Sequence, residues 1–369
     1  MMNSVRRLFW IPTRTIWKWL KRLGPKMGQA RKKIHIGCIG AGIAGRSHIF
    51  DIISNGDLQL DALAVKTLKT RNKVQREFTV TNCSTDYRGL LKMEQIEYIV
   101  LAVPNDIAPE FAFKILQAGK HLLAEKPLLI FGSDFFKFAL LQRISERKIS
   151  VLYSRRLRKS WRYVRELVRE EKMGDILSIE FHCNGPYRQR FSKQGHTFRS
   201  DARQSMGGVV IDTVSHLLDL MVFLFGRIGT VVSAQLVTEQ STGLEYMGTI
   251  VIDHFNLFRV TVHVSNEDDA DEKKTALIRT NDGEIWVDEK QFAMKTANVD
   301  HRFADGYLCR PVDVAAGEPK EEHILLTDLL EAKQICTCIQ SIYAEAGINL
   351  KKKWIFPRAK VLAKRSGAC

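Results

Sequence analysis

The run Ile34-His35-Ile36-Gly37-Cys38-Ile39-Gly40-Ala41-Gly42-Ile43-Ala44-Gly45 limits what this chain can fold into more than any other part of it. It reads as a short buried strand leading straight into a Gly-x-Gly-x-x-Gly turn, with a helix opening near Arg46. Each glycine has a mechanical task. Gly40 permits the tight turn, Gly42 lets a pyrophosphate come up to the backbone, and Gly45 lets the helix sit close on the sheet. The helix N-terminus then offers unpaired N–H groups to a phosphate. Strand, turn and helix together point to a nicotinamide dinucleotide, NAD or NADP, held by Gly40, Gly42, Ile43, Ala44 and Gly45.

At 369 residues the chain has room for two domains with proper cores. Its hydrophobic content of 45% and charged content of 26% are those of an ordinary soluble globular protein. No apolar run approaches the ~20 residues that cross a bilayer. Seven irregularly spaced cysteines do not form a secreted disulfide framework. Cys336-x-Cys338 has no second pair to make a zinc site. The expectation is a reducing, cytoplasmic compartment and no metal.

The net charge of +15 sits at the two ends. Residues 1–33 hold ten Lys and Arg and residues 351–369 hold seven, with no acid in either segment. The body between them has 39 basic residues against 41 acidic ones, so it is close to neutral. A basic nucleic-acid groove through the fold is therefore excluded, because such a footprint belongs on the domain itself.

Alternation of strand and helix from 34 to 154 predicts a Rossmann domain, a doubly wound parallel sheet. Its strands are Leu60–Val65, Glu97–Val103, His121–Ala124 and Ile149–Tyr153, after the first one. A helix over Ala108–Ala118 stops at Gly119, and another starts near Ser133. From 155 to 350 the texture changes to α+β with an open, mostly antiparallel sheet. A helix over Trp161–Glu171 leads into the strand Ile176–Cys183. A polar stretch, Asn184–Met206, precedes an apolar helix from Val210 to Phe225. Phe258–Val264 alternates with period two, as a half-buried strand does. Asn281-Asp282-Gly283 marks a hairpin turn, and the last helix spans Leu326–Ala346. Residues 300–324 are the least legible part. An open sheet face in this second half predicts a homo-oligomer.

Three further constellations lie where a strand ends or a helix begins, the place where open α/β sheets bind ligands. Asn105 follows an apolar strand in Val103-Pro104-Asn105, where it serves either a ligand or the turn. In Glu125-Lys126-Pro127 a lysine at a strand end aims its ammonium at the cleft, although a surface turn looks the same. In the third, Gly207-Gly208 leads into a helix where Asp212 and His216 are four residues apart and share a face, with Asp219 near the same stripe. Histidine titrates near physiological pH and so suits acid/base work. A core hydrogen-bonded pair is the alternative, and no third ligand supports a metal.

The order Gly-x-Gly-x-x-Gly, Pro-Asn, Glu-Lys-Pro and Gly-Gly-x-x-x-Asp-x-x-x-His resembles the glucose–fructose oxidoreductase/inositol dehydrogenase (Gfo/Idh/MocA) family across residues 33–348. Arg156-Leu157, Gly174-Asp175-Ile176-Leu177-Ser178 and Phe198-Arg199-Ser200-Asp201 add to the likeness. The resemblance implies hydride transfer between NAD(P) and a sugar, sugar derivative or cyclitol, with Lys126, Asp212 and His216 as the catalytic set. It implies Asn105, Glu125 and Lys126 near the cofactor. Arg156, Arg188 and Arg199 become candidates for substrate contacts, to an acidic or phosphorylated sugar among others. Two departures stand out. Ala108 occupies the place of a histidine three residues after the Asn. Lys66 and Thr67, followed by Lys69 and Arg71, occupy the ribose-binding position where an acid is common, and this favours NADP. Two rival readings stay open: a reductase of another small carbonyl, dihydrodiol or tetrapyrrole-type substrate, and a cofactor-bound protein with a vestigial site.

The basic arm, 1–33, contains a segment Thr13–Leu23 with Ile16, Trp17, Trp19, Leu20 and Leu23 on one side of a helical wheel and Lys18, Lys21 and Arg22 opposite. Such a segment suits peripheral contact with an anionic membrane, assisted by the basic tail, 351–369. A cleaved organellar presequence and an incidental extension ahead of a start at Met27 are the alternatives.

Overall fold

The computed structural model describes residues 33–193, 197–296, 300–316 and 326–350. The arm and the basic tail, with the membrane reading attached to them, lie outside the described residues.

The first strand, β1 (Ile34–Ile39), is buried over its last four residues. It leads through the glycine turn into α1 (Ile43–Ser54). β2 (Leu58–Ala64), α2 (Leu68–Phe78), β3 (Asn82–Ser84) and the short α3 (Tyr87–Leu91) follow. Then come β4 (Tyr98–Leu101), α4 (Ala108–Gln117), β5 (His121–Ala124), α5 (Phe135–Ser145) and β6 (Ile149–Val151). All six strands pair in parallel, in the order β3-β2-β1-β4-β5-β6. The strands are short apolar runs because helices cover both faces, which leaves no polar side to alternate with. The strand order reverses between β1 and β4, and the crevice at their carboxyl ends is where such sheets take a ligand.

Beyond a 3₁₀ turn, Ser154–Leu157, helix α6 (Lys159–Arg169) leads to a second sheet of eight strands. These are β7 (Ile176–Asn184), β8 (Thr230–Thr238), β9 (Glu245–His254), β10 (Phe258–Ser265), β11 (Lys273–Thr280), β12 (Gly283–Asp288), β13 (Gln291–Thr296) and β14 (Asp300–Ala304). The order is β14-β13-β12-β11-β7-β10-β9-β8, antiparallel throughout except where β10 runs parallel to β7. Val260, Val262 and Val264 of β10 enter the core, while Thr261 and His263 alternate with them on the other face. The core face is covered by α7 (Ser215–Phe225) and α8 (Leu329–Glu345), which pack on one another. α8 starts at a reciprocal cap between Asp328 and Glu331.

Two sequence expectations change. The helical run Ala202–Phe225 does meet the length and hydropathy of a bilayer span, but it is largely buried inside the protein and forms its core. Arg156 does not reach a substrate. It is fully buried, its Nε donates to both carboxylate oxygens of Asp219 at 2.9 and 2.8 Å, and its Nη1 donates to Glu331 Oε2 at 2.9 Å. Thr327 Oγ1 completes Asp219 at 2.6 Å. The pair joins the turn after β6 to α7 and α8, so Asp219 belongs to the core and not to an active-site stripe. Removing one partner of such a pair strands a buried charge and costs about 3–5 kcal/mol, whereas replacing both with apolar residues costs far less. Arg156→Met should therefore lower stability to urea by that amount, and the Arg156→Met/Asp219→Leu double variant should be more stable than Arg156→Met alone.

Candidate active site

The turn after β1 behaves as a cradle. Gly40 has φ +98°, and a Cβ there would lie 2.1 Å from the Ala102 carbonyl oxygen. A Cβ on Gly45 would lie 2.3 Å from the Gly40 carbonyl oxygen. Packing alone explains both glycines. Gly42 is different: its φ of −69° suits any residue, and a Cβ there meets nothing within 4 Å. Neither backbone nor packing demands glycine at 42, so the space beside it is what matters. α1 begins there without a side-chain cap or an acidic residue in its first turn. Its N–H groups at Ile43 and Ala44 therefore face no internal anion, which fits a dinucleotide pyrophosphate.

Lys66 and Thr67 lie at the carboxyl end of β2, next to this turn, since Gly40 N donates to the Ala64 carbonyl at 2.8 Å. Lys66 is exposed, while Thr67 caps α2 by accepting from Thr70 N. Asn105, after β4, is committed within the protein: its Nδ2 donates to the Ser205 carbonyl at 2.7 Å, tying the crevice rim to the turn before Gly207.

Glu125 at the end of β5 meets a residue that the sequence reading missed. His48 Nε2, from α1, lies 2.6 Å from Glu125 Oε1. Burial alone would raise the Glu125 carboxyl, but the His48 bond and the Lys126 ammonium outweigh it and hold the group below its usual range. The glycine-turn helix is thus fastened to the strand that carries Lys126. The only sequence signal was a histidine three residues past Gly45, on the buried face of α1.

Lys126 Nζ donates to the Asp212 carbonyl at 2.6 Å and lies 3.4 Å from Asp212 Oδ1, across 86 residues of sequence. Asp212 sits in a π-helical turn, Val210–Val214, that runs directly into α7 and its second residue, His216. Asp212 Oδ1 also accepts from Arg199 Nε at 2.9 Å, with Arg190 Nη1 at 3.9 Å from Oδ2. Burial would raise this carboxyl, yet Lys126 and Arg199, with Arg190 behind them, hold it well below the usual carboxylate range. Burial also pulls the Lys126 ammonium down, against the support of Asp212. The Asp212 carboxylate is engaged with these cations. His216 Nδ1, by contrast, is buried without a partner, and the ring stands edge-on to Tyr153 at 5.5 Å. Burial, then the Lys126 and Arg155 charges, push the imidazole well below its ordinary pKa, opposed by Asp212 and joined weakly by Lys274.

What fixes the start of this helix was not legible in the sequence. Glu245, fully buried at the head of β9, accepts from Gly208 N at 2.7 Å and Val210 N at 3.3 Å and from the Tyr343 hydroxyl of α8. Gly208 touches the same strand so closely that a Cβ would lie 1.9 Å from the Glu245 carbonyl. Two other predicted arginines are also spoken for: Arg188 pairs with Glu239 at 2.8 Å, and Arg199 with Asp212. Among the described residues no cluster of three metal-ligating side chains is present.

Two family models match the chain. One, described as an oxidoreductase family with an NAD-binding Rossmann fold, covers residues 34–153. The other, described as the GFO/IDH/MocA C-terminal domain, covers residues 161–286. The uncharacterized oxidoreductase YdgJ of Escherichia coli is 27% identical over 193 residues, 52% of this chain and 54% of that protein. Levoglucosan dehydrogenase of Pseudarthrobacter phenanthrenivorans is 24% identical over 237 residues, 59% of each. The chain thus spans little more than half the length of these curated relatives. In fold it is similar to GenD2 from gentamicin A biosynthesis, solved in complex with NAD, with a TM-score of 0.73 at 15% identity over 88% of this chain and 97% of that one.

The open space at Gly42 gives a direct test. Gly42→Ala should leave thermal stability unchanged, because the added methyl meets no protein atom. It should weaken binding of reduced cofactor, followed by fluorescence titration, at least about tenfold, roughly 1.4 kcal/mol.

Proposed function

The chain belongs to the GFO/IDH/MocA oxidoreductase family and binds NAD(P), and from that premise we propose that it oxidises or reduces a hydroxyl/carbonyl pair on a sugar, sugar derivative or cyclitol. The observation that carries this reading is the meeting of Lys126 with the Asp212–His216 helix, from motifs far apart in sequence. Levoglucosan dehydrogenase among the relatives supports a carbohydrate substrate.

The bound nicotinamide supplies a hydride acceptor or donor. Gly40, Gly42, Ile43, Ala44 and Gly45 would hold its pyrophosphate, with Lys66 and Thr67 toward its ribose. In the oxidative direction the neutral His216 would take the proton of the substrate hydroxyl. The Lys126 ammonium donates to the same oxygen and stabilises the negative charge that grows on it. Asp212 holds that ammonium and Arg199 in place. The face of the second sheet opposite α7 and α8 is the surface through which copies of the chain would associate.

Lys126→Ala and His216→Ala should each cut turnover at least ~100-fold, the scale of positioned acid/base groups, with cofactor affinity largely retained; near-normal turnover in either removes the assignment. Because the His216 pKa is depressed, its base form survives to lower pH than an ordinary histidine allows. The acid limb of kcat/KM for oxidation should therefore lie below 6.5, the ordinary value.

A carboxylate at the ribose position repels a 2′-phosphate and a basic group accommodates it. NADPH should accordingly bind at least as tightly as NADH, and Lys66→Glu should weaken NADPH while sparing NADH. An NADH preference in the unaltered protein would mean that Lys66 serves solvent only.

A further inference from the structure

Adjacent arginines in the turn after β6 have opposite fates. Arg156 is sealed in the core on Asp219 and Glu331. Arg155, one residue earlier, is half-buried, and its guanidinium Nη1 and Nη2 lie 3.9 and 4.0 Å from the Cys183 sulfur. A neutral thiol is a weak acceptor. Among the described residues no carboxylate pairs with Arg155. Lys126, Arg155 and Lys274 are cations whose charge bears on His216, opposed by the Asp212 carboxylate. Lys126 is held by Asp212, and Lys274 by Glu272 and Glu289 at 2.9 and 3.4 Å. Of these three cations, Arg155 alone has no carboxylate partner among the described residues. Lys274 stands beside it, because Lys274 of β11 faces Cys183 of β7 in the sheet register.

We propose that Arg155 is the anchor for an anionic group of the substrate, a carboxylate or a phosphate, so that the enzyme's preferred substrates are acidic sugar derivatives and not neutral sugars. This rests on the sugar oxidoreductase reading above. A half-buried guanidinium presents a planar fork that matches the two oxygens of a carboxylate or phosphate. Leaving such a charge partly desolvated and unpaired is costly, and a bound anion would relieve that cost beside the reacting centre. The three arginines singled out from sequence, Arg156, Arg188 and Arg199, are each satisfied by protein carboxylates. Arg155 is the one that is not.

The test is calorimetric binding to the enzyme saturated with cofactor, with glucose, glucuronate and glucose 6-phosphate as probes. The wild type should bind at least one acidic probe tenfold or more tighter than glucose, and the gain should shrink at high salt. Arg155→Gln should abolish the gain without changing glucose or cofactor affinity, and Arg155→Lys, which keeps the charge, should retain part of it. Whichever acidic probe shows the Arg155-dependent gain identifies the anion as carboxylate or phosphate. The absence of an acidic preference, or a preference that survives in Arg155→Gln, overturns the proposal. Should Arg155→Gln fail to fold, Arg155→Lys and the salt dependence carry the same decision. If an acidic probe binds through Arg155 yet no sugar in a wider panel is turned over with either cofactor, the oxidoreductase reading fails and the anion site stands. Turnover of neutral sugars without acidic preference gives the reverse.

Discussion

The bond between the Lys126 ammonium and Asp212 is the contact on which the site depends, because it brings the end of one sheet to the helix of the other. It does not act alone. His48 with Glu125 fixes the lysine's strand to the glycine-turn helix, and Asn105 ties the rim of β4 to the turn ahead of Gly207. Val151 N donates to the Thr327 carbonyl at 2.8 Å, carrying the edge of the parallel sheet to the start of α8. Glu245 holds the start of the helix that carries Asp212 and His216. Each connection is a polar group buried against a partner of long sequence separation, where an unmade hydrogen bond costs more than a made one contributes. The relative position of Lys126 and His216 is therefore specified by several bonds that are costly to break.

Much of this was legible from sequence. The parallel half was readable because its strands are short apolar runs set between helices with clear stops, such as Gly119. The glycine turn could be read to the residue, since two of its glycines answer to backbone contact and the third to empty space. Lys126, Asp212 and His216 were singled out from the order of their motifs, and the fold brings Lys126 to the helix that carries the other two. Strand ends were less certain: the run expected at Glu97–Val103 is a strand only over Tyr98–Leu101, as Val103-Pro104 leaves the sheet for the crevice rim.

The misses share a physical cause. A side chain's partner is set by tertiary packing, which local pattern does not encode. Nothing in Leu244-Glu245-Tyr246 distinguishes a buried acid that caps a helix from a solvent-facing one. Arg155 and Arg156 are the same residue type in the same turn, and only the direction of each side chain decides which enters the core. Asp219 falls at helical spacing from His216, but α7 presents it to Arg156. The spacing of Asp212 and His216 was read as one α-helical face, whereas Asp212 lies in a wider π turn and its carboxylate goes to Lys126 and Arg199. Such a turn inside a helix is frequent at functional sites, and no propensity scale reveals it.

The electrostatics of the site reconcile two demands that pull apart. In the proposed reaction, positive charge around the substrate oxygen would favour the anion that forms there when a proton leaves. Burial lowers the basicity of the His216 imidazole, and the neighbouring positive charge lowers it further. Without Asp212 the field would be unopposed, and His216 would be a still weaker base. While pairing with Lys126 and Arg199, the Asp212 carboxylate moderates the positive field at His216. Burial works against the Lys126 ammonium while Asp212 supports it, and burial with the neighbouring cations favours the neutral form of the His216 imidazole.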